Sequence, residues 1–159
     1  ISRLLGGHTM PSENEKNLLF AVIRDWDAVR FAQMIFRASQ VLDDLYDQDH
    51  EVPKEKIVKT FWEVLVEIPS NPFYLRNIAT LTPLLQGMML DWIDSCTLER
   101  SGSEHEQNVA FVLRDSVSAL AIHCAYLVNG YDWMVDVSPD IRRLIFNESV
   151  EEYRKELDR

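Results

Sequence analysis

From Ala110 to Val128 the chain is apolar on nearly every side of a helix. Ser103 with Glu106 opens this stretch as a capping box, and Gly130 closes it where a C-cap favours glycine. A helix without a polar face cannot rest on the surface of a soluble fold; other elements must wrap it. The pattern therefore predicts a buried central helix over about 104–129, with Leu120, Ile122, Ala125 and Leu127 among its most buried residues.

The wrapping elements also read as helices. Only 5 Gly occur in 159 residues, and the 6 Pro fall where helices start or stop. Ser12 with Glu15 makes a capping box after Pro11. A long helix is expected from about Asp27 to about Asp49, with Phe31, Ile35, Ala38, Leu42 and Leu45 as its buried seam. Pro53 opens a third helix to about Ile68, with Ile57, Phe61, Trp62, Leu65 and Ile68 on one side. Asn71-Pro72 and Thr82-Pro83 each open another, the second running to about Glu99. Ser138-Pro139 starts a short helix, and Ser149 with Glu152 caps a terminal one. The expectation is an all-α fold, a single-domain bundle of about six or seven helices spanning 1–159, with 1–11 as a flexible arm.

The formal net charge is −10. Asp43, Asp44, Asp47, Asp49 and Glu51 fall in one stretch that holds no Lys or Arg. This balance argues against a nucleic-acid surface, which needs clustered cations to displace counterions, and against anionic lipid. It leaves a protein partner or self-association. Cys96 and Cys124 stand apart in apolar helical contexts and read as buried free thiols. No basic start followed by an apolar run is present, and the Ser116–Val128 run is shorter than the roughly 20 residues of a membrane span. A cytoplasmic protein with no membrane contact is expected. The chain begins at Ile1 rather than Met, so it reads as processed, trimmed or a fragment.

Chemistry, if any, concentrates in Asp43-Asp44-Leu45-Tyr46-Asp47. This pentad resembles the aspartate-rich motif of class I isoprenoid synthases, which is also carried on a helix. The resemblance implies magnesium ligands at Asp43, Asp44 and Asp47 and a diphosphate substrate; carboxylate oxygens suit that ion. The family's second metal motif has no counterpart here. At about 100° per residue the three aspartates centre opposite the Leu42/Leu45 seam, so they are expected to face water. Asp91 and Asp94 repeat the spacing of Asp44 and Asp47. Paired carboxylates on two helices resemble the metal pattern of all-helical nucleoside triphosphate pyrophosphatases and dimeric dUTPases, which implies magnesium-held phosphates and an activated water.

The central helix carries Arg114, Asp115 and His123. They are expected to find partners on other helices, or in His123's case a carbonyl, and otherwise mark a pocket. Trp26, Trp62 and Trp92 read as core anchors. Trp133 falls in a segment read as non-helical, either plugging the bundle or forming a partner surface. The first expectation for function is a non-catalytic acidic helical interaction or assembly domain that can homodimerise through exposed apolar helix faces. The alternative is a magnesium-dependent enzyme acting on a diphosphate or nucleotide through Asp43–Asp47 and Asp91–Asp94. No organic cofactor is expected; magnesium is the one ion these residues suit.

Overall fold

The helical shell forms around an apolar centre. The computed structural model describes residues 13–158, of which 82 % are helical and none is in a strand. The elements are α1 (Glu13–Ile23), α2 (Trp26–Asp47), α3 (Lys54–Trp62) running on into a π turn (Glu63–Glu67), α4 (Pro72–Arg76), α5 (Ile78–Leu98), α6 (Glu104–Leu113), α7 (Ser116–Asn129), α8 (Tyr131–Ile145) and α9 (Val150–Leu157). Local chemistry sets most boundaries. Asp25 caps α2 by accepting from the Ala28 N–H at 2.8 Å. Asn71 caps α4 by accepting from the Tyr74 N–H at 3.0 Å, with Pro72 in the first turn. Ser149 and Glu152 form a complete capping box on α9, whereas Ser103 caps α6 from its own side chain alone. The Ser12–Glu15 box and the 1–11 arm lie outside the described residues.

Three expectations need correction. The central helix is not continuous over 104–129: a turn at Arg114–Asp115 divides it into α6 and α7. The turn lets Arg114 swing inward to carboxylates on other helices. Only α7 is central, packed on α1, α2, α5 and α8. Leu120, Ile122 and Ala125 are buried there as expected, while Leu127 is only half-buried. The stretch Glu104–Asn129 is long and apolar enough to cross a membrane by length and composition alone, although other helices wrap its second half.

Secondly, Pro83 and Pro139 do not start helices; they sit inside α5 and α8. Each proline forfeits the bond to the carbonyl four residues back. Those residues, Ala79 and Val135, are exposed, so water can serve the freed carbonyls. The segment after Gly130 is therefore helical. Gly130, with φ 89°, reverses the chain without a Cβ penalty and folds α8 back onto α7. Thirdly, Trp26 and Trp62 are exposed rather than anchored; Trp26 stacks on Phe20 at 4.1 Å, while Trp92 and Trp133 pack against the core.

Because α7 sits at the centre, Leu120→Ala should cost roughly 2–5 kcal/mol in denaturant melts. A loss below about 1 kcal/mol would place α7 at the periphery.

Candidate functional site

Phe31 and Ile35 of the expected α2 seam face the core, but the C-terminal end of α2 departs from the sequence reading. Asp43 and Asp44 are 2 % and 5 % exposed, while Leu42 and Leu45 are 36 % and 41 % exposed. The aspartates do not face water, and the lower part of the expected seam is not buried. Buried carboxylates need donors, and the fold supplies them. The Arg114 guanidinium lies 3.3 Å from Asp43 and 2.8 Å from Glu99, which ends α5. The Trp92 indole N–H donates to Asp43 at 3.1 Å, and the Tyr153 hydroxyl donates to Glu99 at 2.7 Å. One cation thus joins α2, α5, the α6–α7 turn and α9. Burial pushes the Tyr153 hydroxyl pKa up, with Glu99 adding to the shift. Asp44 is 3.3 Å from His50, beyond the end of α2.

Asp47 opens onto a polar cleft of about 480 Å³ whose walls include Asp49, Glu99, Arg100 and Glu156. Burial, and then the charge of Asp43, raise its pKa above the ordinary carboxylate value; Glu99 and Asp49 add to this and Arg114 opposes it. Asp91 and Asp94 do not join this group. Asp91 is half-buried and Asp94 exposed on α5, and neither principal cavity brings Asp44 and Asp91 together. Among the described residues no three His, Cys, Asp or Glu are placed to hold a metal ion.

The remaining polar candidates have structural partners. Asp115 pairs with Arg142 of α8. His123 Nδ1 is 2.8 Å from the Ala119 carbonyl one turn back. Trp133 donates to the Val22 carbonyl at 2.8 Å, with Arg24 stacked over its ring at 3.4 Å. It plugs the junction of α1 and α8. Cys96 and Cys124 are free and buried.

The side expected on the third helix is split: Ile57 is half-buried and Ile68 buried, whereas Phe61, Trp62 and Leu65 are exposed. The inward side of that helix is held by charge: Arg37 of α2 grips the buried Glu63 carboxylate through two nitrogens, at 3.0 and 3.4 Å. The Glu63 backbone carbonyl accepts the Ile68 N–H at 2.8 Å, the five-residue bond that defines the π turn. Val58, Phe61, Trp62 and Leu65, at helical spacing i, i+3, i+4 and i+7, are then left 59–69 % exposed. No residue of α3 itself is buried. Between α2, α3 and α5 lies an apolar groove of about 390 Å³, walled by Ile35, Leu42, Leu45, Phe61, Met89 and Trp92 among others. Met89 of α5 is itself partly exposed at the edge of this groove. Charged groups thus hold the end of α2 and the π turn after α3, and apolar side chains line the groove beside them.

The residues that sequence reasoning missed are Glu99, Tyr153, Arg37 and Glu63, which meet across long stretches of chain. Phe61, Trp62 and Leu65 were read as one side with Ile57 and Ile68, but spacing does not say which way a side faces, and Val58 was not part of that reading. Comparison of the chain with protein-family models, curated proteins and solved structures finds no match.

Two expected outcomes follow from the charge network. Arg114→Leu strands two buried carboxylates and should cost roughly 3–5 kcal/mol in denaturant melts; a change within about 0.5 kcal/mol would mean that the network is not buried in solution. Asp47 has its folded pKa raised, so its protonated form is favoured by folding. That contribution is present below the unfolded pKa and lost as pH rises through the folded value. Asp47→Asn should therefore raise the melting temperature at neutral pH and leave it unchanged near about pH 3. A lower melting temperature at neutral pH would contradict this.

Proposed function

We propose that the chain is a non-catalytic helical assembly domain that pairs with a second copy of itself through the apolar face of α2, α3 and α5. The observation that carries this reading is the outward Val58, Phe61, Trp62 and Leu65 stripe beside an open apolar groove. Scattered exposed apolar residues are ordinary, but a contiguous patch is a mark of an interaction site. Val58, Phe61, Trp62 and Leu65 are each more than half exposed, and Leu42, Leu45 and Met89 are partly exposed along the groove beside them. The protein partners already held by Asp43 and Asp44 favour this reading over one in which they are magnesium ligands.

Sedimentation velocity tests it. The chain should shift from monomer to dimer between about 1 and 100 µM, and its melting temperature should rise with concentration. Val58→Glu with Leu65→Glu should keep the helical circular dichroism and abolish the shift. A wild-type chain that stays monomeric throughout would overturn the assembly reading.

A further inference from the structure

Independently of pairing, we propose that residues 1–12, which precede α1, occupy the apolar groove between α2, α3 and α5 of their own molecule, with Ile1, Leu4 and Leu5 as anchors and Arg3 toward the acidic end of α2. The groove itself is the first support. It holds about 390 Å³ beside Ile35, Leu42, Leu45, Phe61, Met89 and Trp92, and the described residues leave it open. Val58, Trp62 and Leu65 are not among its walls, so this occupant leaves them free for a second copy.

Reach is the second support. α1 starts at Glu13, and Asn14 and Leu18 stand beside Leu144 and Ile145 at the end of α8. Arg142 of α8 pairs with Asp115, and the next residue, Ser116, lines the groove. The start of α1, the end of α8 and the start of α7 thus share one end of the bundle, and the groove opens beside it. Packed helix axes lie about 8–10 Å apart, which puts the groove on the order of 20 Å from Glu13. Residues 1–12, extended, span up to about 40 Å. A segment tethered this closely meets the groove at an effective concentration on the order of millimolar, which favours it over a separate partner at micromolar levels.

Composition is the third support. Residues 1–12 hold Arg3 and no Asp or Glu, in a chain of net charge −10. Beyond Leu45 of the groove come Asp47 and Asp49, and Asp91 precedes Trp92 on the facing wall. Arg100, over the Tyr46 ring, counters one of these charges. Lys54 and Lys56 at the start of α3 are offset by Glu51 and Glu55, and Arg114 by Asp43 and Glu99, so an acidic excess remains at that end. An acid-free segment suits it. Ile1, Leu4 and Leu5 are spaced i, i+3 and i+4, so one helical turn puts all three on one side, a recurrent way to anchor a segment in an apolar groove.

Disulfide trapping in the full chain tests this at a concentration where it sediments as a monomer, so that failure of the assembly reading would show separately. Leu4→Cys with Met89→Cys should close an intramolecular disulfide about tenfold faster than Leu4→Cys with Tyr131→Cys. Tyr131 is exposed at the opposite end of the bundle, where Asn129 meets the Ile23 carbonyl. Cys96 and Cys124 are buried and do not compete. Adding Leu5→Glu should slow the Met89 reaction severalfold with the circular dichroism unchanged. Equal rates at Met89 and Tyr131, or a Met89 rate indifferent to Leu5→Glu, would overturn the proposal. A disulfide formed only between two chains would overturn it in favour of the segment of a second copy.

Discussion

The inward turn of Arg114 is the interaction on which the rest depends. Its guanidinium ties Asp43 of α2 to Glu99 of α5 in the interior, and Tyr153 and Trp92 complete the donor set. A buried ion pair is no more stabilising than well-packed apolar residues of the same volume, since desolvation offsets most of the attraction. Its consequence here is orientation. With Asp43 held inward, the opposite side of α2 must present Leu42 and Leu45 to the groove. The same pairing goes with a turn at Arg114–Asp115, which separates half-buried α6 from central α7.

The Arg37–Glu63 pair does for α3 what Arg114 does for α2. It holds the π turn after α3 against α2, beside the exposed Val58, Phe61, Trp62 and Leu65. Two salt bridges thus hold an apolar face open to solvent, where simple amphipathic collapse would have buried it. In the proposed dimer this face would be covered, and burial of apolar surface returns about 25 cal/mol per Å² before the costs of association.

Helix identity was legible in the sequence because caps and periodicity are local. Asn71-Pro72, Ser149 with Glu152 and Gly130 each act where their chemistry says. Facing was not legible. The Leu42/Leu45 seam and the Asp43/Asp47 side are equally regular, and which one turns inward depends on Arg114, some seventy residues away in the chain, as the 71-residue separation of the Arg114–Asp43 bond records. Prolines misled for a related reason: Pro83 and Pro139 are tolerated within helices because the carbonyls they orphan lie on exposed faces. The acidic pentad had the residue types of a metal site, but Asp43 and Asp44 are committed to Arg114 and His50.

Amide hydrogen exchange at low and high protein concentration tests the central claim most directly. If the α2–α3–α5 face is covered by a second copy, amides of 54–67 and 86–94 should slow markedly at high concentration while α8 and α9 exchange as before. Exchange of 54–67 that is fast and independent of concentration would contradict it.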